Sequence, residues 1–261
     1  YTIVYNLSQY KGLEVWLPNA FICNVDELDQ PAYIQALALP ETVSGYIDDY
    51  DATSDHRELL DICGELTITA LENYFFKNKK KGKNDTLASL FVDNVTKKRI
   101  QTYIDRRLDK FLQIICDKQF HLCLNLERKE HALNHKLIFV GLRAEPNLTF
   151  VKTQTGIKYS LTVGIGDQEV ILLNHQVILI ANTPGIFILD KKMIVWINKI
   201  DAAKLKPFIK NESVFIPDRS VKAYFEQFVS EMLNKVEIRA EGFEASLENT
   251  LISAELLFVF P

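Results

Sequence analysis

Residues 157–200 constrain the fold more than any other stretch. They read IKYSLTVGIGDQEVILLNHQVILIANTPGIFILDKKMIVWINKI, short apolar runs cut by Gly164-Ile165-Gly166-Asp167, Asn174-His175-Gln176, Asn182-Thr183-Pro184-Gly185 and Asp190-Lys191-Lys192. β-branched and aromatic side chains suit a pleated, half-buried surface. Gly, Asn, Asp and Pro supply the turn backbones between them. The gaps are too short for the crossover that parallel neighbours need, so adjacent strands are expected to run antiparallel. The stretch therefore predicts a meander of four or five strands, and it carries no arrangement of side chains that names a reaction.

Outward from this meander, other elements follow from periodicity. Thr2-Ile3-Val4-Tyr5 and the run from Glu14 through Leu17 to Phe21-Ile22-Cys23 predict a hairpin, with Pro18 demanding an edge or a bulge. Asp29 is placed to cap a helix whose first turn holds Pro31, whose apolar face is Tyr33, Ile34 and Leu37, and which Pro40 ends. Asp55 is expected to cap a short helix through Leu59, Leu60 and Cys63, and a second helix to span about residues 66–76. Residues 96–118 give the best-defined early helix: Ile100, Tyr103, Ile104, Leu108, Phe111, Leu112 and Ile115 form one apolar stripe.

Strands are then expected at residues 120–126, 136–140 and 148–152, ahead of the meander. Beyond it come a helical turn before Pro207, a strand at Val214-Phe215-Ile216, and a helix opened by Pro217-Asp218. That helix carries Val221, Tyr224, Phe225, Phe228, Val229, Met232 and Leu233, and is expected to pack on the meander. Strands at 236–240 and 251–260 finish the chain. The fold class is α+β, a mostly antiparallel sheet with packed helices and a helical N-terminal part. A soft boundary at Lys118-Gln119 separates a mostly helical region 1–118, with its N-terminal β-hairpin, from a β-rich region 119–261 with a packed C-terminal helix.

Charge is distributed in blocks. Residues 26–72 hold twelve acids against Arg57 alone, and residues 77–118 hold twelve bases against five acids. Lys79, Lys80, Lys81 and Lys83 sit in a polar, glycine-containing loop, while Lys97, Lys98, Arg99, Arg106, Arg107 and Lys110 fall largely off the apolar stripe of the 96–118 helix. These ten residues are the candidate nucleic-acid contacts, since cations along one face neutralise phosphates. The same face also suits pairing with the acidic block, or plain solvation. Tyr103, Phe75 and Phe76 are the aromatics nearby, fewer than a stacking platform usually offers.

Other chemistries have less to stand on. There is no GxxxxGK[ST] loop, and Gly164-Ile165-Gly166 lacks the third glycine and the following helix of a dinucleotide fingerprint. His131 and His135 have helical ligand spacing, but Ala132 stands where a zincin places its glutamate, and a solvated polar connection is expected there. Asp48, Asp49 and Asp51 suit Mg²⁺ in their oxygen donors, yet adjacent carboxylates in a loop are also ordinary surface. Cys23, Cys63, Cys116 and Cys123 show no CxxC spacing, lie among apolar neighbours and are expected as buried thiols in a reducing cytoplasm. No apolar run approaches the ~18 residues of a membrane span, so no membrane partner is expected. The chain opens on Tyr1 and closes on Leu257-Phe258-Val259-Phe260-Pro261, ends that look cut from a longer protein.

One likeness goes beyond pattern. Lys158-Tyr159-Ser160-Leu161-Thr162-Val163, Ile180-Ala181-Asn182-Thr183-Pro184-Gly185 and Met193-Ile194-Val195-Trp196 resemble the region ahead of the motor in bacterial SWI/SNF-type helicase-like ATPases. Ala203-Lys204-Leu205-Lys206-Pro207-Phe208, Val214-Phe215-Ile216-Pro217, Tyr224-Phe225-Glu226-Gln227-Phe228 and Glu241-Gly242-Phe243 continue it, so that it covers roughly residues 106–260. The family's phosphate-binding loop, acidic Mg²⁺ box and arginine finger are missing. The resemblance implies a non-catalytic accessory region without a cofactor, in a DNA-dependent ATPase whose motor follows in the same chain. Such a region contacts DNA, the motor or a protein partner. Two other functions stay open: a stand-alone interaction module that adds a partner strand to a sheet edge, and a metal-dependent nuclease or hydrolase using Asp48, Asp49 and Asp51.

Overall fold

Two neighbouring strands at the chain's start bury most of their residues. In the computed structural model, which describes residues 1–10, 13–47, 54–77, 86–141, 143–224 and 236–241, β1 (Thr2–Gln9) pairs antiparallel with β2 (Trp16–Val25) from Thr2–Cys23 to Gln9–Trp16. Ile3, Val4, Tyr5, Asn6 and Leu7 of β1 are all buried, the mark of a strand covered on both faces. Asn6 is tolerated there because its amide donates to Ser8 Oγ (2.9 Å) and Asn19 Oδ1 (3.0 Å) and its oxygen accepts from Leu126 N (2.9 Å). Pro18 faces Leu7 of β1, and the third strand pairs with β2 only from Phe21 to Val25, so Pro18 stands where the strand is locally an edge.

That third strand corrects the helix expected after Asp29. The Asp26 carboxylate accepts from the N–H groups of Leu28 (2.8 Å) and Gln30 (2.9 Å), and Asp29 takes a left-handed turn conformation (φ 55°) instead of capping a helix. Pro31 then opens β3 (Pro31–Leu37), antiparallel to β2 with two register shifts. Tyr33 and Leu37, which helical spacing would bury, are exposed, because burial along this short run follows a period nearer two. Pro40 starts rather than ends a helix, α1 (Pro40–Val43).

Helices follow: α2 (Ser54–Glu65), α3 (Ile68–Phe76) capped by Thr67, α4 (Leu87–Leu90) and α5 (Asn94–Lys118). The cap of α5 is Asp93, whose carboxylate accepts from Thr96 N at 2.8 Å, so the helix begins two residues before Thr96. Ile100, Ile104, Leu108, Phe111, Leu112 and Ile115 are fully buried, as their spacing predicts, while Tyr103 is half-buried. Asp105 lies among them with 1% of its surface exposed, accepting from Gln101 Nε2 (2.7 Å), Asn182 N (2.9 Å) and Thr183 N (3.1 Å). After α5 the chain returns through β4 (Leu122–Leu124), parallel to β1, to complete a sheet of order β3-β2-β1-β4.

The chain divides into two compact units. The first holds residues 1–139, 180–183 and 191–194, the second 140–179, 184–190 and 195–261. In the first, β5 (Ile138–Phe139) lies beside Met193 and Ile194 in parallel. In the second, β6 (Glu145–Lys152) and β7 (Gly156–Ile165) make a long antiparallel pair, and β8 (Gln168–Val170) folds back on β7 through a turn with Gly166 at φ 58°. The meander over residues 157–200 is thus not one continuous sheet. A 3-10 turn at Leu172–Asn174 follows β8, and β9 (Val177–Ala181), β10 (Gly185–Leu189) and β11 (Met193–Ile197) are consecutive neighbours in a different sheet. Asp190 and Lys191 both take positive φ (52° and 56°) in the turn between the last two.

The second unit continues with α6 (Lys206–Lys210), β12 (Val214–Pro217), antiparallel to β7, α7 (Asp218–Tyr224) and β13 (Glu237–Glu241), parallel to β6. Gly156 faces Pro217 where a Cβ would sit 2.2 Å from Ile216 O, so only glycine fits the approach of β12. The helix opened by Asp218 packs on β7 as expected: the Tyr224 and Tyr159 rings lie 5.5 Å apart and their hydroxyls are hydrogen-bonded. The expected helical face beyond Tyr224 and the strand at 251–260 lie outside the described residues. Among the described residues no helix is long and apolar enough to cross a membrane.

Two expectations follow. Asp105→Ala should cost about 2–3 kcal/mol, because it strands two buried backbone donors that the Asp105 side chain now satisfies; urea denaturation reads it. His56, half-buried, has Nδ1 2.6 Å from Tyr5 Oη and its ring stacked 4.3 Å from Phe120. Burial holds its pKa below the ordinary imidazole value, with Asp55 partly offsetting, and burial acts likewise on His121. The unfolded chain therefore binds more protons, so stability should fall as pH drops through about 6.5. In denaturation curves between pH 7.5 and 5.5, His56→Gln should flatten that dependence.

Candidate nucleic-acid interface

Helix phase decides what the basic block of the chain can do. With the apolar stripe of α5 turned inward, Lys98, Thr102 and Arg106 recur at four-residue spacing on the opposite side, flanked by Arg99, Tyr103 and Arg107. Lys98, Arg99 and Arg106 are exposed and form no ion pair among the described residues. Lys97, although exposed, projects from the stripe's side of the helix one turn before Ile100 and Ile104, and it does not share this face. Three successive cations near the N-terminus of α5 oppose the macrodipole, and Asp93 at the cap offsets part of that cost.

The C-terminal half of the block meets the acidic helix α2. Arg107 Nε lies 2.5 Å from Glu65 Oε2, Lys110 is paired with Glu58, and Lys118 Nζ lies 2.8 Å from Asp55 Oδ2. These pairs are solvent-exposed to varying degrees and each contributes little to stability, ~0–1 kcal/mol. Their larger effect is on potential: among the described residues, part of the acidic stretch pairs with one half of the basic helix and not with the other. Lys79, Lys80, Lys81 and Lys83 lie outside the described residues, as do Asp48, Asp49 and Asp51.

Aromatic rings from α3 complete the face. Tyr74 stacks on Tyr103 with centroids 4.8 Å apart and planes at 30°, while Phe75 meets both edge-on, at 5.0 Å from Tyr74 and 5.5 Å from Tyr103. The guanidinium carbon of Arg107 lies 3.6 Å from the Tyr103 ring centroid, a cation–π contact held in place by Glu65. Burial pushes the Tyr103 hydroxyl pKa up, with the Arg107 charge opposing, so the phenol stays neutral at physiological pH. Between α3 and α5 these side chains line a groove of about 680 Å³, with Lys98, Arg99 and Arg106 along it.

Tyr74 is the residue that sequence reasoning missed. It is 57% exposed, and its signal is faint: an aromatic in Asn73-Tyr74-Phe75-Phe76 on the side of α3 away from buried Phe76. Other candidates resolve into structural roles. His131 Nδ1 accepts from Leu133 N (3.4 Å) at the start of a 3-10 turn, and His135 Nδ1 lies 3.0 Å from Leu124 O. No group of three metal-binding side chains is assembled among the described residues. All four cysteines are free, three of them buried; burial pushes the Cys63 and Cys123 thiols up to about 12 and Cys23 to about 11, which leaves them unreactive. Compared with protein-family models, curated proteins and solved structures, the chain gives no match.

Proposed function

We propose that this chain binds nucleic acid through the face of α5 that carries Lys98, Arg99 and Arg106, and that it serves as a non-catalytic accessory module to a DNA-acting machine. The observation that carries the reading is the sorting of charge on one helix. Arg107 and Lys110 are occupied by Glu65 and Glu58, whereas Lys98, Arg99 and Arg106 stand exposed around an open groove without an acidic partner among the described residues. Cations left so placed attract a polyanion and release its counterions on contact. The resemblance of the later strands to the region ahead of a helicase-like motor makes DNA the natural polyanion. In that setting the chain would hold the strand and leave ATP hydrolysis to the motor.

The test is the triple charge reversal Lys98→Glu, Arg99→Glu, Arg106→Glu, read by fluorescence anisotropy on a labelled oligonucleotide across a salt series. All three side chains are exposed, so the fold should survive, and a circular dichroism melt checks it. The expected result is a loss of at least about tenfold in affinity, with a salt dependence shallower by about one unit for each phosphate contact removed. Unchanged affinity and slope would remove this face from the function.

A further inference from the structure

Tyr74 and Tyr103 point to the kind of nucleic acid the groove accepts. We infer that it takes unpaired bases, so that the ligand is single-stranded nucleic acid, an inference that rests on the binding face proposed above. A cationic helix face by itself would serve duplex and single strand alike, because both present phosphates. What lies beside these cations is different: an aromatic ring, 57% exposed, on a surface that could have been polar at no cost to the core. Its orientation is set by its neighbours, with Tyr103 stacked at 4.8 Å and Phe75 edge-on at 5.0 Å, and Tyr103 in turn lies under the Arg107 guanidinium, which Glu65 holds. A ring fixed in this way loses little freedom when a ligand stacks on it.

In a duplex the faces of the bases are covered by their neighbours and only edges and phosphates meet a protein. In a single strand the faces are open, and stacking them on aromatic side chains beside a cationic track is how sequence-tolerant binding to such strands is achieved. The groove's volume, about 680 Å³, leaves room for a nucleotide-sized ligand, within the ~300–1,000 Å³ range of small-molecule clefts. Lys98, Arg99 and Arg106 line the same groove, so backbone phosphates and a stacked base are engaged together.

Anisotropy with a labelled 15-nucleotide single strand and the duplex of the same length tests this, on the wild-type chain, Tyr74→Ala and Tyr74→Phe. The expected result is preference of the wild type for the single strand, an approximately tenfold loss of single-strand affinity in Tyr74→Ala, and duplex affinity and salt slope left unchanged. Tyr74→Phe keeps the ring and should bind the single strand like the wild type. Equal loss for both ligands in Tyr74→Ala, no loss for either, or a Tyr74→Phe variant as weak as Tyr74→Ala would overturn the stacking inference while leaving the cationic face standing. Binding of neither ligand by the wild type would overturn both.

Discussion

A carboxylate with 1% of its surface exposed sits in the middle of a 25-residue helix, and the rest of the first unit depends on where it faces. Asp105 is flanked along the buried side of α5 by Gln101, Leu108 and Leu112, and it accepts hydrogen bonds from Gln101 and from two successive backbone N–H groups at Asn182 and Thr183. A polar group removed from water is tolerated only where hydrogen-bond partners meet it, so the helix cannot rotate about its axis without stranding the side chain and the two backbone donors. The apolar stripe from Ile100 to Ile115 sets the same rotation by a less directional force. Together they leave one outcome for the cations: Lys98, Arg99 and Arg106 must face away.

That rotation also explains how one basic block comes to have two fates. Around Arg107, Lys110 and Lys118 the opposing surface is α2, whose Glu65, Glu58 and Asp55 come from the acidic stretch. Around Lys98, Arg99 and Arg106 the opposing surface is α3, which brings Tyr74 and Phe75 in place of carboxylates. Charges separated by more than ~10 Å are largely screened at ordinary salt. Among the described residues, the acids on α2 pair with α5 at Arg107, Lys110 and Lys118, and Lys98, Arg99 and Arg106 have no acidic partner. Internal pairing, one of the explanations that compete when only the sequence is read, applies to the turns of α5 that meet α2, and the proposed ligand attraction rests on different turns of the same helix.

The legible parts of the molecule were those with a long, regular signal. α5 repeats its apolar residues over many turns, and the short strands of residues 157–200 are bounded by turn residues whose positive φ values appear at Gly166 and Asp190. The α+β class followed from these. What was not legible was decided by contacts distant in sequence. Residues 31–37 carry apolar residues at spacings that suit helix or strand, and pairing with β2 tips the balance. The break of the meander after β8 depends on which sheet each strand joins, a choice that turn chemistry does not encode. In the candidate site, the cations were visible as a count but their partners were not. Tyr74 matters only because α3 lies against α5, and Asp105 was one acid among several until Asn182 and Thr183 came to meet it.

The most direct measurement of the central claim is photo-cross-linking of a single-stranded oligonucleotide to the chain, with the modified peptides mapped by mass spectrometry. Cross-links concentrated at Tyr74 and Tyr103, and suppressed by raising the salt, are the predicted result. Cross-links confined to the second unit, or none at concentrations where binding is measurable, would contradict the assignment of the α3–α5 face as the nucleic-acid interface.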